Sequence, residues 1–166
     1  MKLTGSIDRV QKNGNGEVMI LDYKTGKVEE SKLRLSVKKD TELTDDVVRN
    51  LINTVFTDSK YDKLFQLITY LLMYEHNAGE SSSVVKAGIL STREVSKNSP
   101  KYLLMANIFQ NDNLLTYKSV FEECLNSLFL DIFDAGTPFA QTETEDNCKN
   151  CDFLHLCGRQ TVTDSR

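Results

Sequence analysis

Apolar and polar residues alternate along two short stretches near the start of the chain, Leu3 to Val10 and Glu17 to Tyr23. The residues between them, QKNGNG at 11 to 16, carry two Asn-Gly pairs. A period of two sends successive side chains to opposite faces of a strand, and Asn-Gly supplies the positive φ values of a tight turn, so this pattern predicts an antiparallel hairpin. Alternation returns at Lys32 to Val37, where Leu33, Leu35 and Val37 are interleaved with Arg34 and Ser36, and predicts a third strand. The period then lengthens. Thr44-Asp-Asp, a cap followed by two acids, predicts a helix through Phe56. From Lys60 to Asn77 the apolar residues at 61, 64, 65, 68, 71 and 72 follow helical spacing and mark a broad buried stripe.

Asn77 to Ser83 reads as a loop. Val84 to Thr92 and Tyr102 to Phe109 read as strands joined by a turn at Lys97-Asn-Ser-Pro. A last helix is expected over Thr116 to Asp134, stopped by Ala-Gly-Thr-Pro at 135 to 138, and the tail from Phe139 has little periodicity. The order of hairpin, strand, helices, two strands, helix and tail, with no internal repeat, predicts an α/β fold with a mixed sheet flanked by helices.

Composition narrows the class. The chain has 166 residues, 40% hydrophobic and 27% charged, which suits one globular domain with a real core. No apolar run approaches the roughly 20 residues that span a bilayer, and MKLTGSIDRV lacks the apolar core of a signal peptide, so the expected location is cytoplasmic and no membrane partner is expected. A net charge of -4 argues against a purely electrostatic nucleic-acid binder but leaves room for a local basic face. Lys24, Lys27, Lys32, Arg34, Lys38 and Lys39 cluster against Glu29, Glu30 and Asp40, and a solvated surface is the ordinary explanation for them.

The candidate chemistry sits at the end of the hairpin. In ILDYKTGK, residues 20 to 27, Asp22 and Lys24 share a strand face while Tyr23 points away. Hairpin register makes Asp8 the neighbour of Asp22, and two carboxylates that close repel unless a divalent metal lies between them. The plainer alternative pairs Asp8 with Arg9 or with solvent, and Asp22 with Lys24. Gln66 and Tyr70, four residues apart, lie on one face of the long helix, where a satisfied core pair is the ordinary explanation. DYKTGK is not a phosphate-binding P-loop, and His76 near a helix C-terminus complements the dipole. Of the four cysteines, Cys148, Cys151 and Cys157 fall within ten residues, a clustering more typical of metal ligands than of disulfides in a cytosolic chain. Cys124, inside FEECLNSLFL, reads as a small core hydrophobe, and His155 raises a competing zinc set with the three clustered cysteines.

GSIDR at 5 to 9, DYKTGK at 22 to 27 and QLITY at 66 to 70, in this order, resemble the RecB-like branch of the PD-(D/E)XK nuclease superfamily. Cys148-x2-Cys151-x5-Cys157 resembles the tail of its iron-sulfur members, such as AddB-type helicase-nuclease subunits and CRISPR adaptation nucleases. The resemblance covers most of the chain. It implies a restriction-endonuclease-like core and Mg2+- or Mn2+-dependent hydrolysis of DNA phosphodiester bonds by a metal-activated water. It further implies an exonuclease working with a helicase subunit, or with the rest of a longer polypeptide, in recombination and repair. Asp8 and Asp22 would be catalytic metal-binding carboxylates, the Tyr23 backbone carbonyl a further ligand, and Lys24 the catalytic lysine. Gln66 and Tyr70 would organise the site and, with Lys27, contact DNA. Cys148, Cys151 and Cys157 would be iron-sulfur ligands.

The family usually carries a helix before the hairpin with a His or Glu that completes the metal site, and its cluster-bearing members place a first cysteine upstream as well. Neither is in this sequence. The expectation is therefore an N-terminally truncated nuclease core over 1–138, lacking its first helix, and a cysteine-rich tail over 139–166, with any iron-sulfur cluster incomplete. Two rivals follow: a non-catalytic nuclease-fold module that binds DNA or scaffolds a partner, and a zinc-stabilised interaction domain.

Overall fold

The computed structural model describes residues 4–37, 41–78, 85–95, 103–105, 114–149 and 151–159. Among these, four strands form one mixed sheet in the order β1-β2-β3-β4: β1 (Arg9–Lys12), β2 (Val18–Lys24), β3 (Val85–Ser91) and β4 (Leu103–Met105). β1 and β2 are the expected antiparallel hairpin. Its turn closes by a bond from Gly16 N–H to the Asn13 carbonyl at 3.0 Å, with Gly16 at φ 85°. The Asn13 side chain accepts from the N–H groups of Asn15 and Glu17, which fixes the turn locally. β2 and β3 are parallel, so the chain between them must cross over, and it spends that length on two helices. β3 and β4 are antiparallel.

The first crossover helix, α1 (Asp45–Thr57), starts at Thr44, whose hydroxyl accepts from Val47 N–H at 3.4 Å, and buries Val48, Ile52 and Val55. Its last turn ends at Asp58. The Asp58 carboxylate receives Lys60 N–H and begins a 3-10 turn, Ser59–Tyr61, that leads into α2 (Asp62–Ala78). α2 carries two neighbouring apolar stripes. Leu67 and Leu71 pack with Ile20, Val28, Leu33, Ala87 and Ile89 beneath the sheet. Leu64 and Ile68 pack with α1 and with Tyr117, Val120 and Phe121 of the last helix. His76 is exposed in the last turn of α2.

After β3 comes the four-residue helix α3 (Thr92–Val95), and α4 (Leu114–Phe133) closes the described core. Contacts divide the chain into two compact units, Met1–Ser127 and Leu128–Arg166. In the second, Asp134 stops the helix by accepting from Gly136 N–H at 2.9 Å and Thr137 Oγ1 at 2.7 Å. The Thr137 hydroxyl, followed by the Gly136 N–H, holds the Asp134 carboxyl below the usual carboxylate range.

The third strand expected over Lys32 to Val37 does not form. Glu30–Leu33 is a 3-10 helix, Arg34 makes only an isolated bridge, and residues 35–37 join no ladder. Two ion pairs at helical spacing, Arg34 with Glu30 and Lys32 with Glu29 at 3.6 Å, suit a helical turn. Leu33 and Leu35 are buried and Arg34 and Ser36 exposed, so the alternation reports burial rather than strand pairing. Leu3 lies outside the described residues, and β1 begins at Arg9 for a reason that belongs to the site. The expected turn at Lys97 to Pro100, most of the strand over Tyr102 to Phe109, and Lys38 and Lys39 lie outside the described residues.

Candidate active site

β2 is supported differently along its length. Arg9 to Lys12 pair with Val18 to Leu21 on one side, and β3 pairs with Val18 through Lys24 on the other. The last three residues, Asp22, Tyr23 and Lys24, therefore lie beyond the end of β1, with a ladder on one side only. At this point Asp8 continues the register toward Asp22. Its carboxylate Oδ2 accepts Tyr23 N–H at 2.9 Å, taking the place of the carbonyl that a longer β1 would have offered. A side chain thus replaces the next rung, which is why β1 starts after Asp8. Because the N–H and C=O of one strand residue point the same way, the Tyr23 carbonyl faces this open side too.

Residues of even number in β2 face α2. Ile20 is buried there, Asp22 is 2% exposed, and Lys24 follows at the rim. The Lys24 ammonium lies 2.8 Å from Asp22 Oδ2 and donates to Gln66 Oε1 on α2 at 3.0 Å. Gln66 Nε2 in turn donates to the Tyr70 hydroxyl at 2.8 Å. Asp22, Lys24, Gln66 and Tyr70 therefore form one continuous polar chain across the junction of sheet and helix. On the opposite face, half-exposed Tyr23 accepts a bond from Arg9 Nη1 at 3.2 Å. Arg9 is thus engaged with Tyr23 rather than paired with Asp8. Lys27 is exposed, past the strand end, and pairs with no described residue.

One atom in this group is anomalous. Asp22 Oδ2 is buried, and its contact with Lys24 is a charge contact without hydrogen-bond geometry, so among the described residues it has no hydrogen-bond donor. Its charge is met by Lys24 at 2.8 Å, but its lone pairs receive no aligned donor, and such atoms call for a ligand. A hard cation such as Mg2+, which binds oxygen and is commonly held by one or two carboxylates, matches what Asp22, Asp8 and the Tyr23 carbonyl offer. The residues present fit such an ion on the donor chemistry.

The tail cysteines do not make an equivalent site. Cys148 is buried and its sulfur accepts from Arg159 Nη1 at 3.4 Å, Cys151 and His155 are exposed, and Cys157 is half-buried. Among the described residues no three or more of His, Cys, Asp and Glu come together as a metal site. The structure therefore lends no support to an iron-sulfur ligand set at Cys148, Cys151 and Cys157, nor to the zinc alternative with His155. Cys124 packs at the edge of the helical core, its thiol donating to Asn53 Oδ1 at 3.1 Å, and burial pushes that thiol's pKa up.

Two residues beside the site were not singled out by sequence. Ser91, fully buried, donates to the Gly26 carbonyl at 2.9 Å, and Thr92 donates to the Lys24 carbonyl at 3.4 Å. A serine and a threonine close a strand whose α2-facing positions, Ala87 and Ile89, are apolar. Such a pair is common at strand ends, and only the pairing of β3 with β2 gives it a role here.

No described helix is long and apolar enough to cross a membrane. Comparison with curated proteins and with solved structures gives no match. A family model does match, over residues 1–158, a span that includes GSID, DYK, the Gln66 and Tyr70 helix and the sheet that joins them. On that match, and with a mixed α/β sheet of the restriction-endonuclease-like kind, the chain belongs to the PD-(D/E)XK nuclease superfamily.

Proposed function

We propose that this chain is a divalent-metal-dependent deoxyribonuclease of the RecB-like branch, hydrolysing DNA phosphodiester bonds as an exonuclease within an AddB-type helicase-nuclease of recombination and repair. The observation that carries the hydrolytic part is the buried Asp22 carboxylate, with an oxygen lacking a hydrogen bond, set beside an ammonium that Gln66 holds from the other side. The helicase-nuclease context rests on the order of the sequence motifs and the cysteine spacing of the tail.

Asp8, Asp22 and the Tyr23 carbonyl would hold Mg2+ or Mn2+, which supplies charge neutralisation and an activated hydrolytic water. The protein's own part is electrostatic and positional. Lys24 carries three N–H donors, of which Gln66 takes one, leaving others for a phosphate oxygen as negative charge grows on it. Tyr70 accepts from the Gln66 amide, which turns the amide oxygen toward Lys24, and keeps its own hydroxyl proton to donate. Lys27 is free of described partners and suited to a flanking phosphate.

A second reading, a DNA-binding or scaffolding module without catalysis, is favoured by one observation. Asp8 already spends an oxygen on Tyr23 N–H, and no third acidic or imidazole group joins the pair among the described residues. Cleavage of linear single- and double-stranded DNA with Mg2+ or Mn2+, alongside gel-shift binding, separates the two. Nuclease function predicts metal-dependent cutting that falls by about 100-fold or more in Asp22→Ala and in Lys24→Ala. Binding without cutting supports the module, and neither binding nor cutting sinks both.

A further inference from the structure

The active-site end of β2 has lost one neighbour, since β1 stops opposite Leu21, yet Asp22 and Lys24 must hold their places. On the face toward α2, β3 presents Ala87, Ile89 and then Ser91, so its apolar pattern turns polar at its last rung. That rung pairs with Lys24. Ser91 has no exposed surface, and its hydroxyl reaches beyond the ladder to the Gly26 carbonyl at 2.9 Å, two residues after Lys24. Thr92, the first residue of α3, reaches the Lys24 carbonyl itself. The two side chains tie the departing β2 strand to the end of β3 where main-chain pairing has run out. A hydroxyl buried at the sheet's end costs free energy unless bonded, so a merely packed position would favour Ala or Val.

We propose that Ser91 is a positioning residue for Lys24: its bond to Gly26 fixes the Thr25-Gly26 turn and so holds the Lys24 ammonium between Asp22 and Gln66. This deepens the nuclease reading and rests on it for its catalytic consequence. Its geometric content stands independently, because the contacts of Lys24 and the Ser91 bond are present without substrate. Thr92, exposed and with a longer bond of 3.4 Å, is the weaker member of the clasp.

The test uses the full chain as wild type, Ser91→Ala, Ser91→Cys and Ser91→Thr. Cys keeps the volume and nearly loses the hydrogen bond, whereas Thr keeps the hydroxyl. Limited acetylation read by peptide mass spectrometry gives the reactivity of Lys24 relative to exposed Lys27. Lys118, paired with Glu75 at 2.5 Å in the helical layer, reports general loosening. The expected result is a Lys24 to Lys27 ratio raised about threefold or more in Ser91→Ala and Ser91→Cys, with Lys118 unchanged and Ser91→Thr closer to wild type. Cleavage should fall about tenfold in kcat in the same two variants, with KM within about twofold, as misplacement of a catalytic group predicts.

An unchanged ratio in both Ala and Cys variants overturns the proposal. So does a raised ratio with undiminished cleavage, or an equal rise at Lys118. A raised ratio in a protein whose wild type cuts nothing upholds the positioning role while removing the nuclease reading.

Discussion

The two apolar clusters that share α2 have different neighbours. Beneath the sheet, Ile20, Val28, Leu33, Leu67, Leu71, Ala87 and Ile89 end directly at the polar chain of Asp22, Lys24, Gln66 and Tyr70, with Tyr70 itself packed on the cluster. Between the helices, Leu64, Ile68, Val48, Ile52, Val55, Tyr117, Val120 and Phe121 enclose no candidate site residue. There Phe56, Phe65 and Phe121 pack edge-on or tilted, with centroids 4.9 to 5.5 Å apart. The two clusters therefore do different work from one helix. The helical cluster fixes α2 to the fold, and the sheet cluster fixes the distance from α2 to the end of β2, the distance that Lys24 and Gln66 bridge at 3.0 Å. A defect in the first should lower the amount of folded protein; a defect in the second should also change what the folded protein does.

The largest effect to use against this division is Phe121→Ala. Phe121 is fully buried at the centre of the aromatic group, and its truncation should cost about 3 to 5 kcal/mol of unfolding free energy. Cleavage per folded molecule should stay near wild type at a temperature where the variant is folded. Leu67→Ala, in the sheet cluster, should cost about 2 to 5 kcal/mol and in addition lower cleavage per folded molecule, because Gln66 sits on the adjoining residue. Denaturant melts paired with initial rates, normalised to folded fraction, check both. Equal per-molecule rates in the two variants would break the distinction.

Sequence pattern made the local parts of this division visible. The hairpin turn, the Thr44 cap, the length of α2 and the shared strand face of Asp22 and Lys24 are all written in spacings of two to four residues. Gln66 and Tyr70 meet at 2.8 Å because helical spacing brings residues four apart together. What sequence hid lies where distant segments meet. Leu67 did not stand out in the stripe of α2, because two stripes with different partners run side by side. The polar chain from Lys24 to Gln66 spans 42 residues, and the Ser91 bond to Gly26 spans 65. Both depend on β3 entering parallel to β2, which no local pattern specifies. The segment after Val28 misled for the converse reason: burial alternates there with a period of two, but Glu30 and Arg34 close a helical turn and leave no ladder.

A smaller effect sharpens the comparison through pH. Tyr117, 2% exposed in the helical cluster, has its pKa pushed up to about 12, first by burial and then by the anionic Glu75 nearby. An unfolded tyrosine ionises near about 10, so below that pH both states hold the proton and its stabilising contribution is complete. Between about pH 10 and 12 the unfolded chain loses the proton and the folded chain keeps it, so stability falls as pH rises, by about 3 kcal/mol for a shift of this size. Unfolding free energies measured along this range should decline less steeply in Tyr117→Phe than in wild type, and the ultraviolet absorbance of tyrosinate should show one tyrosine ionising with the unfolding transition. Because Tyr117 belongs to the helical cluster, cleavage per folded molecule should differ little between wild type and Tyr117→Phe across the same range. A divergence there would mean that the helical cluster also sets the position of Gln66, and that the two cores are energetically one.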